Sequence, residues 1–110
     1  MTELAKPPKT YDRFVGRYPE LGQAWELMAK AGQAGPLPER TQRLLKLAVA
    51  VGAMREGAVH SGVRKSLAQG ISAEEIEQVI ALSASTLGMS SAAAVFTWVH
   101  DELDKAPKGP

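Results

Sequence analysis

Apolar residues along this chain recur at spacings of three and four, not two. That is the period of a helix face, and it runs from about residue 11 to residue 103. Tyr11 to Arg17 reads as a short helix. Pro19 suits the first turn of the next, where a missing N–H costs nothing. Leu21, Ala24, Trp25, Met28 and Ala31 then form one stripe, and Gly32, Gly35 and Pro36 end it. Pro38 opens a third helix, with Leu44, Leu45, Ala48, Val49 and Gly52 on one face and Arg40, Arg43 and Lys46 largely on the other. A fourth runs roughly from Gly57 to Gln69, closed by Gly70 as a left-handed terminator. Ser72 and Glu75 make a capping box ahead of a stripe of Ile76, Val79, Ile80, Ser83 and Leu87, which Gly88 stops. Ser90 or Ser91 can cap the last helix, whose stripe is Ala92, Val95, Phe96, Val99 and Leu103. No strand alternation and no hairpin signal interrupts this pattern.

The pattern predicts an all-α fold: a single domain of five to six helices over residues 10–105. A proline-containing arm precedes it at 1–9 and a short tail follows at 106–110. The expected core is Leu45, Ala48, Val49, Val63, Leu67, Ile76, Val79, Ile80, Leu87, Val95, Phe96 and Val99. Phe96 and Trp98 lie about 200° apart on a helix, so one should face the core and the other a partner. A core of this size cannot absorb every stripe, and self-association is expected.

Composition then narrows the chemistry. Thirteen basic and twelve acidic residues leave a net charge of +1. That balance gives no electrostatic case for a nucleic acid or an acidic membrane as partner. With no apolar run near membrane-spanning length and no signal segment, a soluble cytoplasmic protein is the expectation. The chain has no cysteine. Disulfides, thiolate metal sites and thiol nucleophiles are therefore excluded.

Glu56 and His60 stand four apart and share a helix face. A carboxylate that orients an imidazole is the minimum kit for moving a proton. The same spacing also describes an ordinary surface ion pair, worth only about 0.3–0.5 kcal/mol. Small apolar neighbours at Ala53, Gly57, Ala58 and Val59 favour burial. His100, beside Asp101 and Glu102, reads as a last-turn residue that suits the helix dipole. Two histidines this far apart, without H-E-x-x-H spacing, give no metal site, and no cofactor is expected. Arg64 and Lys65 read as a solvated face, as an anchor for a carboxylate, or as a pair across a subunit interface. Ser83, Ser85 and Thr86 interrupt an apolar helix and should bond the carbonyl one turn back.

Taken as a set, Leu37-Pro38-Glu39-Arg40, Leu44 to Ala50, Glu56-Gly57-Ala58-Val59-His60-Ser61, Ala68 to Ile76 and Thr86-Leu87-Gly88-Met89 resemble the carboxymuconolactone decarboxylase / alkylhydroperoxidase D-like family. The resemblance spans roughly residues 37 to 103. It implies an all-α bundle and a homo-oligomer between dimer and hexamer. Its peroxidase branch uses a C-x-x-C pair, a following histidine and an upstream glutamate. Counted from Gly70, those positions fall at Arg55 and Ala58, Gly62, and near Arg43, so all four are empty. Thiol peroxidase chemistry is not expected. Its decarboxylase branch carries Glu-x-x-x-His on the same helix, which survives here as Glu56 and His60. The pair sits about two residues earlier relative to Gly70, a rotation of about 200°. It should face away from the family's site unless Gly57 or Gly62 breaks the register. Some members read E-G-A-V-H-S-H, and Gly62 stands where their second histidine would be.

The resemblance implies cofactor-free decarboxylation, or a related proton transfer, on a small lactone or unsaturated acid. His60 would protonate carbon or stabilise the anion, Glu56 would orient His60, and Arg55 or Arg64 would hold a substrate carboxylate. The alternative is a non-catalytic or small-ligand-binding oligomer that kept the fold. A water-filled cavity reached by both Glu56 and His60 would separate the first from the second.

Overall fold

The computed structural model describes residues 9–105. Those residues form six helices and no strand: α1 (Lys9–Arg17), α2 (Pro19–Gln33), α3 (Glu39–Gly52), α4 (Glu56–Ala68), α5 (Ala73–Leu87) and α6 (Met89–Leu103). The all-α expectation holds. The arm, apart from Lys9, and the tail lie outside the described residues. None of the described helices is long and apolar enough to cross a membrane. The chain divides between Glu39 and Arg40 into two compact units.

The first unit is the α1–α2 hairpin. Pro19 occupies the first turn of α2, as its fixed φ favours. Tyr11 packs edge-on to Trp25, with ring centroids 6.4 Å apart. Gly22 lets Val15 come close: a Cβ there would lie 3.3 Å from the valine Cβ. Neither helix contains a buried residue. Two short helices cannot build a core alone.

The second unit carries the core. Leu47, Val51, Val59, Val63, Ile76, Val95 and Val99 are fully buried, with Ile71 and Ile80 nearly so. The local signals for its helices act as the chain reads. Ser72 accepts from the Glu75 N–H while the Glu75 carboxylate accepts from the Ser72 N–H, closing the capping box. Gly70 and Gly88 adopt φ of +81° and +88°, values that a Cβ would strain. Gly88 also serves as N-cap of α6, so neither Ser90 nor Ser91 caps it.

Four expected core residues are not in the core, Ala48 among them. Leu45, Val49 and Phe96 are exposed, Val49 by 70%. The cause in α3 is a second apolar face. Leu47, Ala50 and Val51 point inward, together with Arg43. Leu45, Ala48, Val49 and Gly52 lie on the nearly opposite side. In α6 the aromatic roles are reversed: Trp98 packs against the core and Phe96 lies over His100, with ring centroids 4.4 Å apart. Ala48, Leu67, Val79 and Leu87 are partly buried.

Candidate functional site

Helix α4 begins at Glu56, with Arg55 as its N-cap and the Glu56 carboxylate in the positive first turn. One turn on, His60 faces α6. Its Nε2 lies 3.2 Å from Glu56 Oε2 and 4.0 Å from Asp101 Oδ2. Its Nδ1 lies 2.6 Å from Oε2 of Glu102. The same glutamate oxygen accepts from Arg64 Nη1 at 3.2 Å. Both His60 contacts are hydrogen bonds together only when both ring nitrogens carry protons, because carboxylates can only accept.

Glu102 is the hub of this cluster. It is buried, and burial is the largest single influence on it, pushing its carboxyl upward. Hydrogen bonds from His60 and Arg64, with the charges of Arg64 and Lys105, outweigh burial and hold it below the usual value of 4.5. A carboxylate on the core side of a helix requires such partners. The sequence carries the signal: Glu102 continues the Val95–Val99 stripe at helical spacing. Its partners lie some forty residues earlier, so spacing along one helix could not name them.

Glu56, His60 and Arg64 are therefore brought together. Arg55 is not: it is exposed and outside every ion pair among the described residues. Arg64 is already held by Glu102. The pair and Gly62 face different helices. His60 faces α6, whereas Gly62, two residues on, faces α3. A Cβ on Gly62 would lie 3.1 Å from Leu47 Cδ1. Gly62 is thus a close-packed glycine where α4 meets α3, and any side chain there would press on Leu47. Of the other relay positions, Arg55 and Ala58 are exposed and Arg43 is buried.

A concavity with an apolar lining lies elsewhere. A groove of about 600 Å³ runs between α3 and α5, with Leu44, Leu45, Ala48, Val79 and Leu87 on its apolar walls. Thr41, Gln78 and Thr86 supply polar groups, and Glu75, also in the wall, pairs with Arg40. Ser83 donates back to the Val79 carbonyl at 2.7 Å, as its place in an apolar helix predicts. Neither Glu56 nor His60 reaches this groove.

His100 is more than a last-turn cation. Its Nε2 lies 2.6 Å from Glu77 Oε2 on α5 and its Nδ1 3.0 Å from Asp104 Oδ1. Hydrogen bonds to Asp104 first and Glu77 second raise its pKa above 6.5.

No curated protein and no solved structure matches the chain. The model of the carboxymuconolactone decarboxylase family matches residues 19–101, which include all of α2 to α5 and most of α6. With more than half its length matched, the chain belongs to the carboxymuconolactone decarboxylase family.

Proposed function

We propose that this chain is a binding member of its family: a self-associating protein that takes a small, mostly apolar molecule in the α3–α5 groove and does not turn it over at Glu56 and His60. The observation that carries this reading is the separation of the two features. The groove has the size and the apolar lining of small-molecule sites, with a few polar groups to orient a ligand. The carboxylate–imidazole pair shares no wall with it. Both His60 nitrogens already face carboxylates, which leaves no ring nitrogen for a substrate. Self-association is supported by the apolar rim. Leu45, Val49 and Leu82 are exposed beside the groove, where a second copy would close its open side.

The test uses Nile red, a neutral apolar probe. Its fluorescence should rise saturably with the native chain, and Ala48→Phe, which fills the groove, should weaken binding by about tenfold. Unchanged binding in a folded Ala48→Phe variant rejects the groove. Light scattering should give a dimer or larger at tens of micromolar; a monomer there rejects self-association.

One observation favours catalysis as a second reading. A buried carboxylate on Nδ1 with an exposed one on Nε2 is how a protein orients an imidazole for proton transfer, once Glu56 swings aside. On this reading the chain decarboxylates a small unsaturated lactone acid, and His60→Gln abolishes CO₂ release. Turnover that survives His60→Gln removes His60 as the proton carrier. Thiol-dependent peroxide consumption is expected to stay at background, since the only sulfurs are four methionines.

A further inference from the structure

The flank of α4 that faces α3 differs in charge from the flank that faces α6. Helices α3 and α4 are joined by a short turn and meet where Leu47 packs on Gly62. Arg43 lies one turn before that contact on α3 and Ser66 one turn after it on α4, and Lys46 and Lys65 are the sequence neighbours of Leu47 and Ser66. Arg43 is only 9% exposed, and its Nε is sealed from solvent without a hydrogen-bond partner. Ser66 is fully buried but gives its hydroxyl proton to the Gly62 carbonyl at 2.7 Å. Among the described residues no carboxylate forms an ion pair with Arg43, Lys46 or Lys65. The nearby Arg64 is the one cation of this group that has such a partner, and it turns to Glu102.

Buried guanidinium groups are normally paired, because desolvating an uncompensated charge is costly. Burial first, and then the charges of Arg43, Lys46 and Arg64, lower the pKa of Lys65, as expected where cations crowd together. An arginine fork flanked by two ammonium groups is a donor set for a planar or tetrahedral oxyanion. The patch is one helical turn long on a chain of net charge +1. It suits one compact anion and not a polyanion.

We propose that the α3–α4 edge, where Arg43, Lys46 and Lys65 meet without a carboxylate partner, binds a small-molecule oxyanion, a carboxylate or a phosphate group. The site is separate from the α3–α5 groove and from the His60 cluster, so it stands whether or not either of those functions.

The test titrates the full chain with sodium phosphate, and separately with sodium citrate, against sodium chloride at matched ionic strength. Amide NMR shifts of α3 and α4 and thermal unfolding are both followed. A saturable response centred on Arg43 and Ser66, to either anion but not to chloride, is expected. The anion that acts identifies the group as phosphate or carboxylate. Lys46→Gln/Lys65→Gln changes only exposed side chains and keeps the fold; it should weaken the response by about tenfold. Arg43→Met should abolish it while preserving cooperative unfolding. No saturable response to either anion overturns the proposal, as does an undiminished response in the double variant. A third result also overturns it: Lys46→Gln/Lys65→Gln splitting an oligomer that neither anion perturbs. The partner would then be an acidic side chain of a second copy.

Discussion

His60 and His100 look different in sequence and alike in space. Each ring bridges two carboxylates, one four residues away in sequence and one on a neighbouring helix. His60 joins Glu56 to Glu102, and His100 joins Asp104 to Glu77. In both, the cross-helix contact is 2.6 Å and the shorter of the two. The environments differ at the far partner. Glu102 is buried and also holds Arg64, whereas Glu77 is part-exposed and holds only His100. The comparison teaches that a carboxylate four residues from a histidine is not by itself a mark of chemistry. What sets His60 apart is the buried carboxylate behind it, and that carboxylate also ties α4 to α6.

The largest test of this view acts beside His60 and not on it. If Gly62 were a vacated catalytic position, restoring a histidine would be tolerated. If it is a packing glycine, Gly62→His presses a ring on Leu47 where α4 meets α3. About 3 kcal/mol or more of destabilisation is expected, from overpacking in a tight core. Gly62→Ala should cost much less, about 1 kcal/mol, because a gain in helix propensity offsets part of the contact with Leu47. Urea unfolding measures both. A Gly62→His variant as stable as the native chain would break the packing account and reopen the family's second histidine as a site.

Next in size is the contrast between the far partners. Glu102→Gln leaves His60 and Arg64 without their shared anion, and should cost about 2 kcal/mol. Glu77→Gln removes a part-exposed partner and should cost only about 0.5 kcal/mol. Equal losses in denaturant melts would show that burial of Glu102 does not distinguish the two histidines.

How much of this was legible follows the range of each interaction. The capping box at Ser72 and Glu75, the stops at Gly70 and Gly88 and the first-turn Pro19 all act within a few residues, and they read correctly. The α6 N-cap did not, because a glycine with positive φ displaced two serines from the role. The inward face of α3 was misread because its apolar residues are spread around the helix. Leu44, Leu45, Ala48, Val49 and Gly52 make the more obvious stripe, yet the buried face is Leu47, Ala50 and Val51 with a buried arginine. Hydrophobicity counts a charged residue as outward, and Arg43 breaks that rule. In the candidate site, Glu56 and His60 were legible as a pair. Glu102 was not legible as their partner, since only the packing of α4 on α6 makes that contact.

The smallest effect separates His100 from Glu102 by pH. Asp104 and Glu77 raise the His100 pKa above its ordinary value of 6.5. A raised folded value means that the protonated ring is stabilised by folding. Its contribution is full below the unfolded pKa and disappears as pH rises through the folded pKa. Glu102 has the opposite sign. Its carboxyl is held below 4.5, so its contribution is full above that value and is lost as pH falls through the folded pKa. Glu75, lowered chiefly by the backbone and hydroxyl of Ser72 and then by Arg40, adds to the same acid-side loss. Stability should therefore decline on both sides of a maximum. His100→Gln should flatten only the neutral-to-alkaline limb, and Glu102→Gln should shrink only the acid limb. The alkaline change should be a few tenths of a kcal/mol, because His100 and both its partners are substantially exposed. Unfolding free energies from urea melts between about pH 3 and pH 9 bracket both limbs. An alkaline limb that persists in His100→Gln would mean that a group other than His100 carries it.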